Sequence, residues 1–466
     1  MKTALLLIYI GLILAVIFLE RKSPTEAVLW VLVMVCLPYV GALLYLIFGS
    51  TMAIKITAYA RKKRLKSHYP QNAVQSPLPD QTIVSEEDAQ VMRFNATYSK
   101  NEVTSYQDAK LYTDGESHYR QLFADIAAAK QSIYIEFYTI QHDRMGKAFV
   151  EALTKKAKEG VDVLVMCDFI ANVSTPPSMF KPLREAGGQV IRIKPYLTHY
   201  RSHRKIVVID DTFAYIGGMN IGNQYANLAK IKNPWRDTQV RLTGACVDVL
   251  RRHFLTDWLC AIRRRDWEKT VRYVDALPAC TAAPSQNFCQ FISGGVDSSK
   301  ESIKMCYLSM IRSAKTSIRI QTPYFIPDAS ILDALKTAAA AGVQIEVMVP
   351  GIKASFFLDP VTTYFCGQLL EYGAKVHKYN GYIHAKTMTV DDEIVCIGSV
   401  NMDMRSLMVD DEICGVFYAN PLVQKYLSIW ADDVQHTMPY TKDMFHDRSR
   451  LERIQESFFM LFAPLM

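Results

Sequence analysis

His203-Arg204-Lys205-Ile206-Val207-Val208-Ile209-Asp210 and His384-Ala385-Lys386-Thr387-Met388-Thr389-Val390-Asp391 are two copies of one pattern, His-x-Lys-x-x-x-x-Asp. Each histidine is followed seventeen residues later by an asparagine in a glycine-marked segment, Gly217-Gly218-Met219-Asn220 or Gly398-Ser399-Val400-Asn401. The copies belong to a wider repeat. Ala129-Lys130-Gln131-Ser132-Ile133 opens an apolar strand over 134–140, and Ala314-Lys315-Thr316-Ser317-Ile318 opens its counterpart through Phe325. Gly160-Val161 and Gly342-Val343 lead strands over 163–168 and 345–350, and Glu185-Ala186-Gly187 and Glu371-Tyr372-Gly373 precede a third in each half. The offsets, 314−129=185, 342−160=182 and 384−203=181, differ only by small loop changes, as a tandem duplication requires. Helical stretches such as 119–130 and 331–341 lie between the strands, which predicts a mainly parallel α/β sheet in each half.

Composition sets the frame for this repeat. Half of the residues are hydrophobic and 21% are charged, which excludes a disordered or low-complexity chain. Setting aside the apolar first fifty residues leaves about four hundred, enough for two domains of about two hundred. The expected division is a membrane segment over 1–50, a basic juxtamembrane segment and linker over 51–85, and domains over 86–285 and 286–466. A net charge of +7 favours an anionic partner without separating nucleic acid from an anionic membrane. The ten cysteines include no Cys-x-x-Cys pair and no short zinc-type spacing, so they read as free thiols, suited to a reducing compartment.

Residues 3–19 and 27–48 are two apolar runs separated by a polar break. At 1.5 Å per residue they reach about 25 Å and about 33 Å, against a hydrocarbon core of about 30 Å, so both are expected to cross a bilayer as a helical hairpin. No small-residue cleavage site follows the first run, which argues against a signal peptide. Lys55, Arg61-Lys62-Lys63-Arg64 and Lys66 follow the second run, whereas Arg21 and Lys22 alone occupy the connecting loop, which places both ends in the cytoplasm.

The paired motifs point to phosphodiester exchange. Residues two apart in a strand share a face, so His203 projects with Lys205 and His384 with Lys386, while Ile206 and Val208 turn into the core. Displacing an alcohol from a phosphodiester needs a nucleophile, a proton donor for the leaving oxygen, and positive charge around phosphorus. Two histidines supply the first two, and two lysines with the Asn220 and Asn401 amides, as phosphate-binding groups, supply the third. No metal or other cofactor is then required. Asp210 and Asp391 complete the catalytic motifs, where a turn-fixing role suits them better than direct catalysis.

These features resemble the phospholipase D superfamily and, within it, the bacterial cardiolipin synthases. The narrower likeness rests on Leu43-Leu44-Tyr45-Leu46-Ile47-Phe48-Gly49, Arg201-Ser202-His203, Trp235-Arg236-Asp237-Thr238, Pro323-Tyr324-Phe325-Ile326-Pro327 and the terminal Leu461-Phe462-Ala463-Pro464-Leu465-Met466. Ser202 stands where the family often has asparagine. The resemblance implies two phospholipase D-like α/β domains packed face to face behind a transmembrane hairpin, in a bacterial cell membrane with the catalytic part cytoplasmic. It implies transfer of a phosphatidyl group between two phosphatidylglycerol molecules, giving cardiolipin and glycerol through a phosphohistidine. His203 would be the nucleophile and His384 the acid and then the base. It also implies an acidic residue that orients a catalytic histidine, with Glu412 the candidate in the second half and Asp237 in the first. A phospholipase D-type hydrolase or tethered nuclease is the alternative. A nuclease calls for an extended basic, aromatic-interleaved stripe near the motifs, and no clear one is present.

Overall fold

The computed structural model describes residues 2–20, 24–50, 84–194, 201–228, 234–262, 285–295, 301–353 and 355–463. The basic cluster and nearly all of the 51–85 linker, the Arg21-Lys22 loop, Cys280 and the last three residues lie outside them.

The two halves each build one sheet. In the first, seven strands run in the order Ala109–Tyr112, Gln239–Leu242, Phe213–Gly217, Ile206–Ile209, Ser132–Phe137, Asp162–Asp168, Gln189–Ile193. The second has nine, in the order Thr104–Ser105, Phe288–Gly294, Glu412–Tyr418, Ile394–Gly398, Thr387–Val390, Ser317–Gln321, Gln344–Pro350, Lys375–Tyr379, Thr437–Tyr440. The expectation of mainly parallel sheets is corrected. In each half only the Ser132–Phe137 or Ser317–Gln321 strand and the two beyond it pair in parallel; every other neighbour is antiparallel. The cause is the end of each motif. Asp210, Asp211, Asp391 and Asp392 have φ of 51°, 52°, 51° and 59°. A two-residue turn left-handed at both positions folds the chain straight back, so the two strands that the Asp pair joins form an antiparallel hairpin.

Asp210 and Asp391 also tie that turn to the start of the repeat. Asp210 accepts from the backbone N–H groups of Lys130, Gln131 and Ser132 at 2.6, 2.7 and 2.8 Å. Asp391 accepts from Lys315, Thr316 and Ser317 at the same three distances, 2.6, 2.7 and 2.8 Å. Both carboxylates lie at the far end of their strand from the motif histidine, about 20 Å along an extended chain of seven residues.

The halves share a core. Ile206, Val208, Ile216 and Val240 of the first sheet join Val395, Ile397, Ile413 and Phe417 of the second in one buried cluster, closed by Phe254 and Trp258 from the Cys246–Ala261 helix and Tyr426 and Trp430 from Pro421–Gln435. Separate clusters cover the outer face of each sheet. Buried arginines cross the same boundary. Arg236 makes paired bonds to Asp433 at 2.9 and 2.6 Å, and Arg204 donates to Ser293, Gly294 and the Glu412 carbonyl. The Glu86–Tyr98 helix and the Thr104–Ser105 strand, expected with the first domain, pack instead on the second. Val91 and Met92 enter the second half's outer core, and Thr104 pairs with Cys289. The helix thus covers part of the outer face of the larger sheet, and the short strand extends its edge.

At the N-terminus, helices Lys2–Phe18 and Pro24–Cys36 precede a short helix Val40–Leu44. The 27–48 run is therefore broken at Pro38, with Tyr39 at φ 65°, because proline removes a helix donor. Val16, Trp30, Met34 and Tyr45 pack together. No helix among the described residues is long and apolar enough to cross a membrane. The nine described cysteines are unbridged, and all but Cys36 are buried.

Burial pushes the Asp391 carboxyl up, but the three backbone N–H groups outweigh it and hold the group below its ordinary 3.8. A depressed folded-state value makes this contribution complete above the unfolded pKa, about 4, and removes it as pH falls through the folded one. Asp391→Ala should accordingly lower stability at pH 7 by about 1–3 kcal/mol in urea unfolding, with a smaller difference from the parent protein below about pH 3.

Candidate active site

The motif histidines do not sit in their strands. They occupy the lead-ins to Ile206–Ile209 and Thr387–Val390, and each lead-in is held by the opposite half. Ser202 bridges Asp411 in parallel, and Tyr382-Ile383 pair in parallel with Trp235-Arg236. The His203 N–H donates to the Asp411 carbonyl at 2.8 Å, and the His384 N–H to the Arg236 carbonyl at 2.6 Å.

This exchange carries the side chains with it. His203 Nδ1 lies 2.8 Å from Glu412 Oε1, and His384 Nδ1 lies 2.6 Å from Asp237 Oδ2. Each carboxylate serves the histidine of the other half, so Glu412 orients the first motif and Asp237 the second. Both carboxylates are wholly buried, and the imidazoles are only 13% and 12% exposed. An ionised carboxylate only accepts, so beside the ionised Asp237 the His384 Nδ1 carries the ring proton and Nε2 presents a lone pair, and His203 takes the same tautomer when Glu412 is ionised.

The lysines complete a single cationic pocket. Lys205 Nζ donates to the His203 carbonyl at 2.6 Å, and Lys386 Nζ makes the equivalent bond to the His384 carbonyl. Lys386 acts electrostatically on His203, and Lys205 on His384, so the four groups of the two halves lie within electrostatic reach of one another. Burial lowers Lys205 to about 7 and Lys386 to about 8. Burial, helped by the lysines, also holds His203 well below its ordinary value and His384 down to about 3. An anionic phosphodiester entering between the lysines would offset their charge and favour protonation of the lysines and of an imidazole.

The two carboxylates differ. Burial pushes Glu412 up to about 7, while its Oε2 accepts from Ser399 Oγ. Burial pushes Asp237 up as well, but His384 and Lys386 outweigh it and leave the group below the usual carboxylate range. Gly218, the counterpart of Ser399, makes room for this arrangement: a Cβ there would lie 2.1 Å from Asp237 Oδ1.

The expected phosphate ligands diverge too. Asn220 is buried, its Oδ1 accepting from Thr139 N at 3.2 Å and its Nδ2 donating to Tyr225 at 3.1 Å. Asn401 Oδ1 has no hydrogen-bond partner among the described residues. Ser202 donates to Glu136 Oε1 at 2.7 Å, and its N–H donates to Asp168 Oδ2 at 3.2 Å. Asp210 and Asp391 stay with the turns described above, away from the cleft. Among the described residues, no group of three or more His, Cys, Asp and Glu side chains is placed to hold a metal ion.

Sequence reading missed an aromatic wall. The Tyr138 ring lies 4.7 Å from the His203 ring, and Trp235 and Tyr382 lie 5.0 and 6.0 Å from His384. Tyr382 and Tyr324 share a hydrogen bond of 3.0 Å. The repeat held a signal for part of this wall, since 324−138=186 nearly matches the offset of 185 between the flanking strands.

Comparison with known proteins identifies the family. The profile of the family described as cardiolipin synthase, PLD-like domain, matches twice, over residues 122–242 and 307–433, and the phospholipase D-nuclease N-terminal family matches residues 7–50. The major cardiolipin synthase ClsA of Bacillus subtilis is 34% identical over 98% of this chain and 96% of its own length. A cardiolipin synthase of Oceanobacillus iheyensis is 33% identical over 98% and 97%. The crystal structure of a phosphatidylserine synthase from Haemophilus influenzae superposes with a TM-score of 0.63 at 16% identity, covering 80% of this chain and 97% of that one, a likeness of fold. With its duplicated motifs, crossed histidine pairs and full-length relatives, the chain belongs to the cardiolipin synthase family of phospholipase D-like proteins.

Proposed function

We propose that this protein is a cardiolipin synthase that moves a phosphatidyl group from one phosphatidylglycerol to the hydroxyl of a second. The reading is supported above all by the two imidazoles, each held through Nδ1 by a buried acid of the opposite half and within electrostatic reach of both lysines. His203 Nε2 attacks phosphorus, forming the N–P bond as the bond to the glycerol oxygen breaks. His384 gives that oxygen its proton. The second phosphatidylglycerol then enters, His384 takes the proton of its terminal hydroxyl, the new O–P bond forms and the N–P bond breaks. One phosphodiester is consumed and one made, so the step needs no nucleotide, and loss of water-soluble glycerol draws it forward.

The unequal carboxylates support this division of labour. An ionised Asp237 beside His384 stabilises the imidazolium that an acid requires. His203 is left neutral by burial and the nearby lysines, and is nucleophilic at Nε2 when Glu412 is ionised and accepts its Nδ1 proton. Lys205 and Lys386 gather the phosphorane charge in a site largely closed to water, where such charge counts most. Asn401, whose amide can present N–H by a half turn, contacts the phosphate directly, and Asn220 acts through Tyr225. The N-terminal helices anchor the enzyme in the bacterial cell membrane, with 51–85 as a basic linker and the catalytic halves on the cytoplasmic face.

Purified protein in detergent with labelled phosphatidylglycerol alone should yield cardiolipin and glycerol; phosphatidic acid as the sole lipid product would instead make it a hydrolase. His203→Ala should abolish both turnover and the acid-labile phosphoenzyme, whereas His384→Ala should lower turnover by about 10²–10⁴-fold. Because the carboxylates are exchanged, Asp237→Asn should reproduce the defect and altered pH profile of His384→Ala, and Glu412→Gln should slow phosphohistidine formation. The reverse assignment in quench-flow traces would refute the crossed arrangement.

A further inference from the structure

The C-terminal helix Arg450–Met460 is built against the usual pattern. Its inner side buries Phe459 together with Glu456, which pairs with Arg448 at 2.5 Å. Its outer side carries Leu451, Ile454 and Phe458, spaced three and four apart, with Leu461 and Phe462 continuing the line. These are 75%, 65%, 54%, 62% and 42% exposed. Apolar residues at that spacing form a stripe along one side of a helix, and such a stripe normally faces a core. Here it faces out. Arg450 and Arg453 are exposed on the same helix and fall on one flank of the stripe.

A second, separate segment extends this surface. Phe356 and Phe357, in the loop after Gln344–Pro350, are 68% and 57% exposed, and their rings lie 5.3 and 5.1 Å from Phe459. That loop leads to the cleft. Ser355 N–H bonds Asp359 at 3.0 Å, and the Asp359 carboxylate acts on both Tyr324 and Tyr382, the latter ring standing 6.0 Å from His384.

We propose that the Arg450–Met460 helix and the Phe356-Phe357 loop form a docking surface for an anionic phospholipid bilayer, distinct from the N-terminal helices, which sets the cleft against the lipid surface. An outward apolar stripe flanked by arginines is the pattern of a helix lying in the headgroup boundary. Contiguous apolar surface on this scale marks an interaction site. The choice of a bilayer over a protein rests on the cleft being supplied from that bilayer, and so on the phosphatidylglycerol reading above. Phosphatidylglycerol is itself anionic, which matches the arginine flank.

The test uses the full-length enzyme and Leu451→Asp/Ile454→Asp, two positions whose side chains are mostly exposed. With long-chain phosphatidylglycerol in vesicles, the apparent KM should rise by about 10-fold or more with kcat retained. With a short-chain phosphatidylglycerol kept below its micelle concentration, turnover should be unchanged. An equal loss on both substrates, or no change on vesicles, would overturn the proposal. Independently of turnover, a spin label on Ile454→Cys, measured against the labelled parent, should gain oxygen accessibility and lose nickel-complex accessibility on moving from detergent to phosphatidylglycerol vesicles. A label that stays water-facing, or one buried by a second copy already in detergent, would refute it. If wild-type protein makes no cardiolipin from either substrate, the activity assignment fails, while the label still reports on docking.

Discussion

The exchange of carboxylates between the halves is the constraint on which this structure turns. A buried imidazole cannot hold one tautomer without a partner at its other nitrogen, and among the described residues the acid bonded to each Nδ1 comes from the opposite half. Glu412 and Asp237 reach across because the lead-in to each motif is stitched to the strand that carries the opposite acid, through Ser202 with Asp411 and Ile383 with Arg236. The shared apolar core and the Arg236–Asp433 pair then have a second task besides stability. They hold four charged or titratable side chains in a register that no single sheet could set.

Burial does the electrostatic work at this site, and it does so before substrate arrives. Four basic groups are held where the charged form of each is costly, so burial keeps the lysines easily deprotonated and the histidines neutral. A phosphodiester adds negative charge beside these four bases. Binding and activation are thereby coupled, since the same anion that is to react also restores the cations that stabilise its transition state.

Much of this was legible in the chain. The duplicated motif fixed the chemistry, the near-constant offsets gave two domains, and Asp210 and Asp391 read correctly as residues of a turn. The sheets did not read correctly, because a hydrophobic run flanked by helices looks the same whether its neighbour is parallel or antiparallel. The signal that would have decided it, two consecutive aspartates at a hairpin, was visible but was taken only as a turn. The partnership of each acid was illegible for a different reason. Sequence order places Asp237 near His203 and Glu412 near His384, and only the packing of the halves reverses this. The early helix, 86–98, was assigned by proximity along the chain to a domain it does not cover.

The reciprocal lending of acids has a corollary for ancestry. A primordial chain with only one repeat would have had a histidine and an acid that could never meet within the same molecule, so it could have worked only as a homodimer. Fusion of two such genes would have relieved the chain of self-association and, at the same time, freed its two sites to drift apart, a drift already visible in Gly218 beside one acid and Ser399 beside the other.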